Sequence, residues 1–227
     1  AQNLIALGLD AGRITSIPNG VDYGWIADQG AAPPTWVRPG ASRRPTLITI
    51  GRLVPQKDQA CLLRGFAMLA ARVDAELVIV GTGPELPVLR QLAGLYAIED
   101  RVHFAGYQSN PYPLLARADL FVLSSRFEGM PNVLIEALAC GLSVVSTDCP
   151  SGPREILADG AYGHLVPVGD AEKLAWAMER ALKAPAAPER QRQRARAFDV
   201  AAIARRYVEV ILADVPTTQA GLSRAAE

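Results

Sequence analysis

Histidine, cysteine and aromatic side chains are scarce in this chain, and the scarcity excludes several kinds of chemistry. Two histidines and three cysteines in 227 residues leave no closely spaced set of imidazole or thiolate ligands, so neither a zinc site nor a Cys-His nucleophile is expected. His103 and His164 read as structural. An odd cysteine count (Cys61, Cys140, Cys149) argues against a disulfide framework and for reduced thiols, with the cytoplasm as the expected compartment. An excess of charge is lacking too: 23 basic and 23 acidic residues give a formal net charge of zero. No global field therefore favours nucleic acid or an anionic membrane, and any anion site must be local. No apolar run approaches the roughly 18 residues of a membrane span. Residues 1–10 show no signal-peptide pattern, and no Gly-x-Ser-x-Gly elbow occurs. Because the first residue is Ala, a piece of a longer protein is expected.

What is present is apolar: 50% of residues are hydrophobic, enough for a full core in one large domain. Strand-like runs at 46–50, 76–80, 101–104, 119–123, 143–146 and 164–166 alternate with helical patterns at 59–71, 85–96, 112–117, 132–140, 152–158 and 172–183. Apolar strands separated by helices predict an α/β, Rossmann-like, doubly wound parallel sheet of about six strands over 46–198, with ligands at the carboxyl ends of the strands. Residues 1–24 predict a short helix, then a strand over Arg13–Asp22 ended by Pro18-Asn19-Gly20. The segment 25–45, with four prolines, predicts a loop. Helices are expected at 189–197 and 200–213, and a disordered tail over 214–227. Arginines alternate through Glu189–Arg196 and fall on different helix faces, which predicts a solvated helix rather than a cationic stripe.

Glu128 and Glu136 frame the most informative segment. Glu136 sits among Val133, Leu134, Ile135, Ala137 and Leu138, where an ionised carboxylate is expensive unless hydrogen-bonded; ligand hydroxyls would serve. Pro131 suits the first helical position, leaving the amides of Asn132 and Val133 at a helix N-terminus where anions bind. Arg52 and Lys57 follow Gly51 directly after the first core strand. Together they suit a diphosphate, a fork of donors beside a compact charge; a surface ion pair and a helix-start lysine is the alternative. Gly81-Thr82-Gly83 follows a strand, yet Leu86 stands where a dinucleotide fingerprint needs its third glycine and no ribose-binding acid follows. Either a close ligand approach or a tight turn fits that pair.

With these motifs in order, the chain resembles the C-terminal half of a GT-B glycosyltransferase, in retaining glycosyltransferase family 4, from about Ile14 to Leu212. The resemblance rests on Ile17-Pro-Asn-Gly-Val-Asp22, Gly51-Arg-Leu with Lys57, Gly81-Thr-Gly-Pro84 and Phe104-Ala-Gly-Tyr107. It continues through Ala118–Ser125, Glu128–Gly141 with seven residues between its two glutamates, and Gly163–Asp170. It implies a nucleotide-sugar site, with a UDP-sugar as donor substrate and neither cofactor nor metal. Arg52 and Lys57 would hold the diphosphate and stabilise the departing nucleotide. Glu136 would bind ribose hydroxyls, and Glu128 hydroxyls of the donor sugar. Backbone near Met130, Asn132 and Val133 would touch phosphate or sugar, Gly51, Gly81 and Gly83 would line the approach, and Phe104 and Tyr107 would help seat the base. Met130-Pro131 departs from the family pattern, and Pro131 has no N–H to donate.

The resemblance also implies that residues 1–24 are the end of an acceptor-binding N-terminal domain, and that 199–213 is a helix crossing back onto it. The expected activity of the intact protein is sugar transfer to a cell-envelope glycan or lipid-linked acceptor, with peripheral membrane association of the whole enzyme and no nucleic-acid partner. The isolated chain is expected to bind nucleotide without catalysing transfer. Alternatives are a nucleotide-sugar epimerase of the same architecture, a nicotinamide oxidoreductase suggested only by Gly81-x-Gly83, and a non-catalytic nucleotide-binding module.

Overall fold

The computed structural model describes residues 5–36 and 44–213. Its strands are β1 (Thr46–Ile50), β2 (Glu76–Val80), β3 (Val102–Gly106), β4 (Leu120–Leu123), β5 (Ser143–Thr147) and β6 (His164–Val166). They form one six-stranded sheet in the order β3-β2-β1-β4-β5-β6, parallel at every pairing. The order reverses between β1 and β4, which makes their carboxyl ends the place where a doubly wound sheet opens a crevice.

Strand residues alternate between the two faces, and each face is covered by helices. Leu47, Leu77, Ile79, Leu120 and Val122 point to one side, where α2 (Gln59–Ala70), α3 (Leu86–Leu95) and α7 (Ala171–Lys183) supply Phe66, Leu89 and Leu174. Ile48, Val78, Val80, Phe121 and Leu123 point to the other side. There α1 (Tyr23–Ala31), α4 (Tyr112–Leu115), α5 (Asn132–Ala139), α6 (Pro153–Ile156) and α8 (Pro188–Arg196) supply Ile26, Leu115, Leu134, Ile156 and Ala195. This burial on both faces is why the strands read as continuous apolar runs.

Several expectations need correction. The segment 25–45 is not all loop: α1 begins at Tyr23 because the Asp22 carboxylate accepts from Trp25 N at 2.9 Å, and it runs to Ala31, ahead of Pro33 and Pro34. Residues 14–20 form no strand; only Val21 makes an isolated parallel bridge, to Asp199. Pro131 caps α5 from outside, at ψ 88°, instead of occupying its first turn. α8 keeps Glu189, Arg190, Gln193 and Arg196 exposed, as a solvated helix does, but its arginines are also anchored. Arg194 donates to the carbonyls of Ile156 and Glu155 at 2.8 and 2.6 Å and covers the rings of Tyr162 and Phe198. Arg190 lies over Tyr162 and Arg196 over Tyr23. The tail over 214–227 and part of the Pro-rich stretch, 37–43, lie outside the described residues.

Val21 N donates to Phe198 O and Val200 N to Val21 O, both at 2.9 Å, so the entry to α1 and the entry to α9 (Val200–Ala213) are fastened side by side. Gly20 allows this closeness: a Cβ there would meet Val200 Cα at 2.9 Å. Beyond Ile203, α9 leaves Tyr207, Val208, Ile211 and Leu212 exposed. No described helix is long and apolar enough to cross a membrane.

Candidate functional site

The loops after β1 and β2 are stitched together before any ligand is considered. Gly51 N donates to Val80 O, Leu53 N to Thr82 O, Gly81 N to Gly106 O and Glu85 N to Leu53 O. A Cβ on Gly81 would stand 1.9 Å from Gly51 O, and one on Gly83 2.2 Å from Leu53 O; Gly81 also holds φ at +135°. Between the two readings of this glycine pair, the structure places both behind the Gly51–Leu53 backbone, supporting it. Gly51 itself leaves room for the stem of Lys57, whose Cε lies 3.3 Å from the place of its absent Cβ.

Lys57 ends a short 3-10 turn, Pro55–Lys57, and is followed by Asp58 in the left-handed region at φ 46°. Asp58 caps α2 by accepting from Cys61 N and pairs with Arg126 at 3.1 Å. That turn sends Lys57 towards the loop after β4, where its Nζ donates to Glu128 Oε1 at 2.6 Å. Both side chains are largely buried, at 17% and 8% exposure. Ser125 Oγ donates to the same carboxylate oxygen at 2.6 Å, and Ser124 Oγ donates to Lys57 O at 2.7 Å. Gln56 binds the opposite loop twice: its carbonyl accepts from Arg126 N, and its amide donates to Phe127 O.

Glu136 projects from α5 into the same cleft of about 430 Å³. Burial holds its carboxyl above the ordinary value, with the Tyr112 hydroxyl offsetting part of that. Burial, then the Glu136 charge, pushes Tyr112 up to about 12. The Cys140 thiol is pushed to about 12 for the same two reasons and stays protonated at neutral pH. At the start of α5, Asn132 Oδ1 accepts from Asn19 Nδ2 at 3.0 Å, which leaves the amide end of Asn132 as a donor. Leu134 N donates to Pro131 O at 2.9 Å, so the first intrahelical bond closes there and the N–H groups of Asn132 and Val133 precede it.

Eight of the residues singled out from sequence thus line one cleft: Gly51, Arg52, Lys57, Glu128, Met130, Asn132, Val133 and Glu136. Arg52 is exposed, its carbonyl accepting from Gln59 Nε2. Phe104 is not brought to the cleft; it packs on the α2–α3 side of the sheet with Arg90 over its ring. Tyr107 lies past the end of β3, 75% exposed. His103 contacts Glu76 and Trp36, and His164 contacts Trp176, all away from the cleft. Sequence reasoning missed Gln56, Ser125, Tyr112 and Asn19. Only the paired hydroxyls Ser124-Ser125, ending an otherwise apolar strand, gave a signal that could have been followed.

Two cations and two carboxylates converging at the switch point of a doubly wound sheet is the arrangement to set beside known proteins. The family model for glycosyl transferases group 1 matches residues 37–198. This chain belongs to that family. It is 36% identical over 170 residues to the N-acetylgalactosamine-N,N'-diacetylbacillosaminyl-diphospho-undecaprenol 4-alpha-N-acetylgalactosaminyltransferase of Campylobacter jejuni, covering 73% of this chain and 46% of that protein. It is 38% identical over 136 residues to the lipopolysaccharide core biosynthesis glycosyltransferase LpsE of Rhizobium meliloti, covering 60% and 39%. Among solved structures, Anabaena HepE in complex with UDP and glucose superposes with a TM-score of 0.79 at 23% identity, covering 94% of this chain and 60% of HepE. The fold is the Rossmann-like α/β fold of GT-B glycosyltransferases. The group 1 chain described here spans about half the length of the curated relatives it matches.

Proposed function

We propose that this chain is the donor-binding half of a retaining family 4 glycosyltransferase. The intact protein would transfer a sugar from a UDP-sugar to a cell-envelope glycan or lipid-linked acceptor. The observation that carries the reading is the cleft itself, with Arg52 and Lys57 on the β1 side and Glu128 and Glu136 on the β4–α5 side. Exposed Arg52 offers a fork of donors to a diphosphate, and Lys57 a second charge; together they stabilise a departing nucleotide without a metal. The α5 N-terminus adds amide donors of Asn132 and Val133. Glu136, half-buried beside the Tyr112 hydroxyl, accepts from vicinal ribose hydroxyls through its remaining acceptor capacity. Glu128, already held on one oxygen, offers the other to a sugar hydroxyl.

The relatives support the class of substrate. One is named for a diphospho-undecaprenol acceptor, another for lipopolysaccharide core biosynthesis, and the HepE structure holds UDP and glucose. With an acceptor of this kind the intact enzyme would work at the inner face of a membrane as a peripheral protein. The chain by itself would bind nucleotide and not catalyse, because transfer needs the acceptor held in line against the donor.

Calorimetric titration of the chain with UDP, GDP and ADP, repeated on Glu136→Ala and Arg52→Ala, tests this reading. Selective UDP binding weakened at least about tenfold, or 1.4 kcal/mol, in each variant is expected. Absence of binding to every nucleotide would overturn the donor-site assignment, and sugar transfer by the chain alone would overturn its inactivity.

A further inference from the structure

The two consecutive hydroxyls after β4 are nearly inaccessible, Ser124 at 2% and Ser125 at 0% exposure, and they serve opposite faces of the sheet. Side chains along an extended strand alternate. Ser124 therefore continues the side of Leu120 and Val122, facing α2, and reaches the backbone of Lys57. Ser125 continues the side of Phe121 and Leu123, facing α5, and reaches Glu128. Thr147, 1% exposed at the end of β5, donates to Ser125 O at 2.6 Å and fixes this end of the strand from the next one. One dipeptide thus holds both members of the Lys57–Glu128 pair.

The detail with consequence is which oxygen is used. Lys57 Nζ and Ser125 Oγ both donate to Oε1 of Glu128, each at 2.6 Å. A carboxylate held by two converging donors on one oxygen cannot rotate without losing both, so its second oxygen is presented in a fixed direction. With Lys57 alone, a flexible four-carbon stem, the carboxylate could follow the ammonium as it shifts.

We propose that Ser125 is a positioning residue that fixes the ligand-facing oxygen of Glu128, and thereby determines the affinity for the sugar portion of the donor without altering affinity for the nucleotide portion. This rests on the donor-site reading given above. Its signature is a change in the ratio of two affinities, which a general loosening of the fold would not produce.

The test measures dissociation constants for UDP and for a panel of UDP-glucose, UDP-galactose, UDP-N-acetylglucosamine and UDP-N-acetylgalactosamine. The chains are the unsubstituted protein, Ser125→Ala, the near-isosteric weak donor Ser125→Cys, Glu128→Gln, and Ser125→Ala combined with Glu128→Gln. For the sugar nucleotide that binds most tightly, affinity is expected to fall about tenfold in Ser125→Ala and at least about threefold in Ser125→Cys, orders of magnitude typical of losing a charge-assisted hydrogen bond. UDP affinity is expected to stay within about twofold, and the double variant to lose no more than Glu128→Gln alone, because both changes break one unit. Full affinity in Ser125→Cys would mean that shape alone matters and would overturn the proposal. So would a sugar-nucleotide to UDP ratio unchanged in Ser125→Ala. Absence of UDP binding in the unsubstituted chain would bring down the donor-site reading and this assignment together.

Discussion

The carbonyl oxygen of Gly51 lies 1.9 Å from where a Cβ of Gly81 would stand. The two residues directly follow the paired strands β1 and β2, and Arg52 comes next in the chain after Gly51. Gly81→Ala would introduce that clash at a φ of +135°, so a loss of about 3 kcal/mol or more is expected. Gly94, inside α3 with open space around it, is the control: Gly94→Ala should raise stability by about 0.5–1 kcal/mol. Urea unfolding midpoints of the two variants check both signs.

The Lys57–Glu128 pair should show strong coupling. Removing Lys57 leaves a carboxylate at 8% exposure with Ser125 as its remaining donor, so Lys57→Ala is expected to cost about 1–3 kcal/mol. Lys57→Ala with Glu128→Gln should cost less than the sum of the single changes, by about 0.5–3 kcal/mol. A double-mutant cycle on unfolding free energies reads this directly; additivity would mean that the pair is not held together in solution.

Glu136 should oppose stability while supporting binding. Burial raises its carboxyl above the ordinary 4.5, so the folded chain holds this proton more tightly than the unfolded chain does. The contribution is therefore favourable below the ordinary value, is lost as pH rises through the raised folded value, and is constant above it. Glu136→Gln removes this dependence. The stability of the unsubstituted chain relative to Glu136→Gln should fall as pH is raised from 4 and then level off, the variant being equal or more stable at pH 7.5 by up to about 1 kcal/mol, while UDP affinity drops. Chemical denaturation across that pH range would contradict the assignment if the difference grew in the other direction.

Arg194 should matter more than a surface arginine. It donates to two carbonyls of α6 and covers Tyr162 and Phe198, so Arg194→Ala is expected to cost about 2 kcal/mol through the two lost hydrogen bonds and the lost ring contact. Arg205→Ala, on exposed α9, should change stability by less than about 0.5 kcal/mol. Thermal melting of both variants provides the comparison.

The sheet was legible because strands buried on both faces announce themselves as unbroken apolar runs; β1, β2 and β6 begin and end where the pattern does. The lining of the cleft was legible through Arg52 and Lys57, which follow an apolar strand, Glu128, which precedes an apolar helix, and Glu136, which interrupts that helix. α1 was hidden because the prolines that follow it dominate the composition of its segment. The anchoring of Arg190 and Arg194 was hidden because helical spacing says which residues share a face and nothing about which carbonyls lie opposite. Phe104 lies away from the cleft because strand alternation turns it toward the α2–α3 face. Pairing between Lys57 and Glu128 depends on β1 and β4 becoming neighbours, a crossover that no local pattern encodes.

The charges lining the cleft, Arg52 and Lys57 against Glu128 and Glu136, cancel when all four are ionised. A chain of zero formal charge with a self-compensated cleft offers a dianionic ligand little attraction at distances beyond the roughly 8 Å screening length of physiological salt. Capture should therefore proceed at the rate of ordinary diffusive encounter, nearly insensitive to ionic strength. On the proposed donor-site reading, discrimination would fall to how long a ligand stays, once its phosphates engage Arg52 and draw on a lysine already committed to a neighbour.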